Sequence, residues 1–573
     1  MFIPTTRDEM EERGWESLDI IIVSGDTYID SYYNGASLIG HWLIDNGFKV
    51  GIIAQPDIDS ENDITRLGEP DLFWSVTAGC MDSMVANYTP TNKRRKDDDF
   101  TPGGLNDRRP DRACIAYTNL IKKYRKGKPI VLGGIEASLR RIAHYDAWTD
   151  SVRRSILFDS KADVITYGMA ELSNLELAKR MKDGLAINDV LGICYAGLDV
   201  PKGYIKMPSY EECLQNKADF ITGFKIFNDN CDPANAKGLA QKHGNRYLIQ
   251  TPPSKNITTE ELDRIHSLNY ENRVHPYYLK KGNVKAMETI KNSITTHRGC
   301  YGECSFCAIS VHQGRTVISR SKESIIREAE MIASKPDFNG IINDVGGPTA
   351  NMYGIDCQTK LIKGGCKDRK CLFPKPCPRL PINHSQQTEL LRDLSNIPNV
   401  KKVHVTSGIR YDMIVSDKKH GKGYVDELVG HHVSGQLKIA PEHTSRRVLD
   451  LMGKPGPDIL LEFKDMFERS NREQGKKQFL TYYFMAAHPG CYTEDMIELN
   501  NFIHRELKTN PEQVQIFTPT PSTVSTMMYH TRRDYNDTKD LKSEHSMQMK
   551  QKQKDVILKS RERDDASKQR KIH

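Results

Sequence analysis

Residues 292–310 read NSITTHRGCYGECSFCAIS. A short strand, NSITTH, runs without a break into Cys300, Cys304 and Cys307, in the spacing C-x3-C-x2-C. Clustered thiolates select soft metals, either zinc or an iron-sulfur cluster. A structural zinc takes four ligands, normally from two separated pairs, and the triplet is one short. A four-iron cluster on three cysteines leaves one iron open, and an open metal position is where a substrate or cofactor binds.

Downstream, strand and helix patterns alternate. SKESIIREAEMIASK (321–335) places Ile325, Ile326, Ala329, Ile332 and Ala333 on one side of a helix. GIINDVGG, VKKVHVTSG, GQLKIAP, FLTYYFMAA and VQIFTPT follow as strands, and SRRVLDLMG as a helix ended by Gly453. Six strand-helix units predict an incomplete (β/α)6 barrel. The loops after the strands then carry the chemistry, and the cysteines sit on the first of them.

Upstream, DIIIVS, KVGIIA, DLFWSVT, PIVLGG and ADVITYG are strands separated by helix-length spacers, the pattern of a Rossmann-like parallel sheet. The loop VLGGIEASLRR is the expected ligand-side loop, with a tight turn as the alternative. NKRRKDDDFTPGGLNDRRPDR (92–112) reads as an exposed insertion. A capping box, Thr258 to Glu261, opens a helix leading into the second half. The expected divisions are a Rossmann-like α/β domain over 1–200, a connector over 201–289, a barrel core over 290–530 with a cysteine-rich insertion at 357–377, and a charged, disordered tail over 531–573.

The chain has 573 residues, too long for one small core. Its polar N-terminus and strand-sized apolar runs predict no membrane span and a cytoplasmic protein. Thirteen cysteines, seven of them between Cys300 and Cys377, argue against a disulfide framework and for a local metal or redox site. Of the net charge of +7, the segment from Arg532 to His573 supplies +5, so the body carries no nucleic-acid footprint. Contact of the tail with an acidic partner, RNA included, stays open.

With Phe306 before the third cysteine, the motif resembles the radical S-adenosylmethionine superfamily. The resemblance implies a 4Fe-4S cluster on Cys300, Cys304 and Cys307 and S-adenosylmethionine at the open iron. It further implies cleavage to a 5′-deoxyadenosyl radical that abstracts hydrogen from a substrate, with an electron donor such as a flavodoxin or ferredoxin. Gly346 and Gly347 in DVGGPT match the superfamily's Gly-Gly-Glu motif, with Pro348 in place of the glutamate. Phe306, Gly346 and Gly347 are thereby cofactor contacts. LKIAPEHTSRRVLDLMGKPG, FMAAHPGCYTEDM and FTPTPSTVSTMMY resemble later strands of the methylthiotransferase branch, and the whole chain is most similar to YgiQ-type (UPF0313) proteins. RNA methylthiolation, or a non-catalytic iron-sulfur or zinc sensor or scaffold, are the alternative functions.

The first half resembles cobalamin-binding domains, whose first loop carries D-x-H-x-x-G. Here GDTYIDSYYNG lacks that histidine, so cobalamin is not expected. Cys357, Cys366, Cys371 and Cys377 supply four ligands for a second iron-sulfur or zinc site, with reduced or redox-active thiols as the alternative. Arg410, Lys438, Glu442, His443 and His488 are strand-end candidates for adenosine or substrate contacts, and Cys491 reads as a buried thiol.

Overall fold

The apolar runs of the first half pair as predicted. In the computed structural model, which describes residues 1–511 and 513–569, they form Ile20–Ser24 (β1), Val50–Ala54 (β2), Phe73–Thr77 (β3), Ile130–Gly133 (β4) and Val164–Thr166 (β5). These strands are parallel in the order β2-β1-β3-β4-β5. Every residue of β1 and β2 is buried, as in a parallel sheet covered on both faces.

The sheet does not end there. Ile193–Gly197 (β6), Ile205–Met207 (β7), Leu239–His243 (β8) and Arg246–Gln250 (β9) extend it to nine strands, in the order β7-β8-β9-β6-β5-β4-β3-β1-β2. The pairs β5-β6, β6-β9 and β9-β8 are antiparallel. Residues 201–289 are therefore not a connector. They belong to one unit, Met1–Lys291 with Val311–Gly314 and Thr520–Ser522. The capping box at Thr258 and Glu261 is present.

The charged insertion at 92–112 is not wholly exposed either. Arg109 is buried, with its guanidinium 2.6 Å from Asp26 after β1 and 3.1 Å from Asp98. Net neutralisation by two carboxylates is what lets an arginine sit there. The Gly133–Gly134 turn after β4 has φ of +78° at Gly134, where a Cβ would lie 2.4 Å from Thr77 Oγ1.

The second unit comprises Asn292–Ser310, Arg315–Pro519 and the chain from Thr523. Its parallel strands are Ser293–Thr295 (β10), Ile341–Ile342 (β11) and Asp344–Gly346 (β12) as one interrupted strand, Lys402–Val403 (β13), Gln436–Glu442 (β14), Phe479–Ala486 (β15) and Gln513–Ile516 (β16). Each pairs with the next in chain order, through a single bridge, Ile409 to Ile439, between the third and fourth. This is the partial (β/α)6 arrangement. Ile325, Ala329, Ile332 and Ala333 face its core as predicted, and Gly453 ends the helix Arg446–Met452 with φ of +72°.

The segment from 531, expected to be disordered, carries a helix over Met547–Gln569. Ile557 joins the core of the unit, and Gln553 Oε1 accepts the Ala487 N–H at 3.0 Å. Val556 and Leu558 pack beside Ile557, and Lys550 lies over the Tyr529 ring, but these consecutive apolar residues in a charged segment give no helical stripe, so composition alone did not reveal the helix. Residues 570–573 of that tail lie outside the described residues. Among the described residues, no helix is long and apolar enough to cross a membrane.

Two buried histidines make the first unit acid-sensitive. Burial holds His144 down to about 4 and His243 down to about 3, against about 6.5 in the unfolded chain. Below pH ~6.5 the unfolded chain binds protons that the folded unit refuses, so stability is full above that pH and is lost as the pH falls toward 3. Neither nitrogen of His243 has a hydrogen-bond partner, and its ring stacks on Tyr210 at 5.6 Å. His243→Phe should spare this unit up to about 2 kcal/mol of the loss at pH 5. Urea midpoints at pH 7 and pH 5 check it, and an unchanged difference between them refutes it.

Candidate metal and cofactor site

The cysteine loop is shaped by its backbone before its sulfurs matter. After β10, His297–Arg298 pairs antiparallel with Ile318–Ser319. Gly299 then turns with φ of +80°, where a Cβ would lie 2.0 Å from the Thr316 carbonyl oxygen, so only glycine fits. The Cys307 N–H donates to the Cys304 carbonyl at 3.0 Å. Ser305 pins the loop between the ends of two helices, donating its N–H to Met452 and accepting from the Ser525 N–H. At Gly302 a Cβ would stand 3.3 Å from Cys300 Sγ and 3.5 Å from Cys304 Sγ, so the glycine leaves the space between the sulfurs clear.

The three thiols are near enough to act on one another. Burial pushes Cys307 up to about 12, and charge on Cys304 and Cys300 adds to the shift. Burial also raises Cys300, while a contact to Thr349 Oγ1 at 3.4 Å opposes it. Such thiols ionise together only when positive charge arrives, which is what metal ligation provides. Part of that charge is built in. Arg410, buried, points Nη1 at Cys304 Sγ from 3.4 Å, and Asp412 grips its other edge at 2.8 and 2.6 Å. Asn351 holds the Arg410 backbone from both sides, at 2.7 and 3.0 Å.

Among the described residues, no three His, Cys, Asp or Glu side chains gather closely enough to hold one metal ion.

Gly347 lies against this loop. A Cβ there would meet the His297 ring at 2.7 Å, and one at Gly346 would meet Ala350 at 3.2 Å. Phe306 sits edge-on to His488, centroids 6.4 Å apart. His488 is held by Ser525 Oγ at 2.7 Å and the Pro489 carbonyl at 2.9 Å, and burial keeps it neutral, down to about 3. Glu442, with φ of +68°, is pushed up to about 7 by burial, against the pull of Lys454 and Arg410. His443 accepts the Thr444 and Ser445 N–H groups on Nδ1, which leaves Nε2 3.7 Å from the thiol of Cys491, itself buried and raised to about 12. The Lys438 side chain is exposed, while its carbonyl accepts the N–H of Ile409, the residue before Arg410, at 3.3 Å. Thr349, Asn351, Asp412 and Lys454 were not singled out from sequence, because each reaches the site only through tertiary packing. Cys357, Cys366, Cys371 and Cys377 border one cavity elsewhere in this unit.

Comparison with known proteins follows this geometry. Residues 2–293 match the family model described as Radical SAM N-terminal. A UPF0313 protein of Fusobacterium nucleatum is 56% identical, covering 98% of this chain and 99% of its own length. A UPF0313 protein of Thermotoga petrophila is 47% identical over 97% of this chain and 98% of its own. Among solved structures, the radical S-adenosylmethionine methyltransferase TsrM of Kitasatospora setae, with cobalamin and a [4Fe-4S] cluster bound, aligns with 14% identity and a TM-score of 0.48 over 89% of this chain and 77% of that one. The cobalamin-dependent radical enzyme OxsB, with aqua-cobalamin and S-adenosylmethionine bound, gives 12%, 0.49, 87% and 53%. Both of those proteins are bound to cobalamin, and the expectation that cobalamin is absent here, drawn from one missing histidine, is withdrawn. That expectation rested on one absent axial ligand, whereas a large ring is also held by shape and apolar contact.

Gly299→Ala tests the loop. With no room for a Cβ and a left-handed φ, the change should cost roughly 1–3 kcal/mol and lower the iron retained after anaerobic reconstitution. The melting midpoint of the metal-free chain and iron per chain read the two effects. Wild-type values for both would show that the loop does not need this turn.

Proposed function

The chain belongs to the UPF0313 family and to the radical S-adenosylmethionine superfamily, and from that premise we propose that it is a radical S-adenosylmethionine enzyme whose cluster is held by Cys300, Cys304 and Cys307. The observation that carries this reading is the set of three mutually interacting thiols on the first strand-end loop, faced by Arg410. When bound, a four-iron cluster with S-adenosylmethionine at its open iron supplies the electron that cleaves the sulfonium to methionine and a 5′-deoxyadenosyl radical able to abstract hydrogen from a substrate.

The protein's own part is placement and exclusion of water. The Arg410 guanidinium, fixed by Asp412, offsets negative charge at the sulfurs. Gly347 keeps a side chain off the His297 ring and Gly346 keeps one off Ala350, and these two glycines would leave room for the methionine moiety. Phe306 and His488 wall the loop with aromatic surface. A low-potential electron-transfer protein such as a flavodoxin or ferredoxin would reduce the site, and a cytoplasmic setting suits oxygen-sensitive thiolates. The substrate is a molecule bearing an abstractable C–H bond.

Anaerobic reconstitution, then dithionite and S-adenosylmethionine, with 5′-deoxyadenosine quantified, tests the proposal. Wild type should form it, and Cys300→Ala, Cys304→Ala and Cys307→Ala should each fall to background. A wild-type chain carrying a four-iron cluster yet making none, even with cell extract present, would leave a sensor or scaffold as the better reading.

A further inference from the structure

The four remaining cysteines of the second unit's cluster do not scatter. Cys357, at the start of the helix Gln358–Lys363, and Cys371 are buried, Cys377 is partly buried, and Cys366 is exposed. All four line one cavity of about 160 Å³. The Cys377 N–H donates to the Cys371 carbonyl at 2.8 Å, closing the segment between them into a loop that turns both residues toward that space.

Two features decide what would fill it. A tetrahedral zinc bound at Zn–S distances of about 2.3 Å leaves no void among its ligands, whereas this space would take several waters. The lining is cationic on balance, three basic side chains against Asp368, although Asp368 pairs with Arg369 at 3.1 Å and Glu303 with Lys360 at 3.0 Å. Lys360, 2% exposed, directs Nζ to Cys371 Sγ at 3.4 Å, and Arg369 and Arg379 border the same space. Four thiolates around an iron-sulfur core carry net negative charge, and an ammonium donating to one sulfur offsets it.

We propose that Cys357, Cys366, Cys371 and Cys377 bind a second cluster of the four-iron, four-sulfide class. Each thiol gives up its proton to the solvent as it ligates iron. With four protein ligands every iron is occupied, so this cluster offers no open position to a substrate, unlike the three-cysteine site. Exposed Cys366 marks the side on which iron and sulfide enter. The proposal does not depend on the reading of the first site, and its test separates the two.

The full chain is reconstituted anaerobically with iron and sulfide, desalted, and analysed for iron, sulfide and zinc. Wild type should retain about eight irons per chain, and a chain with Cys300, Cys304 and Cys307 all changed to Ala about four. That triple variant leaves the four-cysteine cavity untouched, so its retained four irons support the second cluster whatever becomes of the first. No iron in the triple variant, or zinc at the four thiols in the protein as isolated, overturns the proposal. Because changing buried Cys357 or Cys371 disturbs packing, the complementary variant is Cys366→Ser with Cys377→Ser, placed in the triple-variant background. It should lose the reduced-cluster paramagnetic signal while the thermal midpoint of the metal-free chain is held. A persistent signal there also overturns the assignment.

Discussion

Three sulfurs cannot be kept side by side on one buried loop unless something repays the mutual repulsion of their ionised forms. In this chain the backbone forces the proximity and a guanidinium meets the charge. Gly299 can turn where no other residue can, Gly302 leaves the gap between Cys300 and Cys304, and Ser305 is held between the end of the helix Arg446–Met452 and the first turn of the helix Val524–Thr531. Arg410 then faces Cys304 with its orientation set by Asp412 and its backbone set by Asn351.

What could be read from sequence follows from this hierarchy. The five parallel strands of the first unit and the six of the second were legible because each is a short run of apolar, often β-branched residues between helix-length spacers. The cysteine loop was legible because its chemistry lies within eight residues. The strands at 205–207, 239–243 and 246–250 were not, because LAQKH and RYLIQ mix charge with apolar residues and their partners are chosen by the sheet. The tail helix was hidden for the same reason, since Gln553 accepts from Ala487, 66 positions away, and Ile557 is buried in the core of the unit.

At the site, residue type could be guessed but not partnership. Arg410 and Glu442 were visible as polar groups at strand ends. Their meaning comes from Asp412 two residues on, from Lys454 on a different loop, and from a positive φ at Glu442 that no local pattern announces. Lys438 shows the converse. It stands four residues before Glu442 on the same strand, where alternation alone would put both on one face, but it is exposed and the register shifts between Ile439 and Glu442, so sequence proximity to the site counts for little.

The cysteine-rich insertion is tied to the first loop more closely than its spacing suggests. Tyr301, the residue after Cys300, donates its hydroxyl to the Ile355 carbonyl at 2.9 Å and accepts the Cys357 N–H at 3.2 Å. Its ring lies in one apolar layer with Cys357, Cys371, Leu372 and Leu380, and Cys300 packs on the same layer. Glu303 completes the link, because Lys360 Nζ reaches its carboxylate at 3.0 Å and Cys371 Sγ at 3.4 Å together. A change in charge at Cys371 is therefore felt at Glu303, between Cys300 and Cys304, through a single ammonium. An insertion that served only as surface decoration would not need to share a buried lysine with the loop that carries the chemistry.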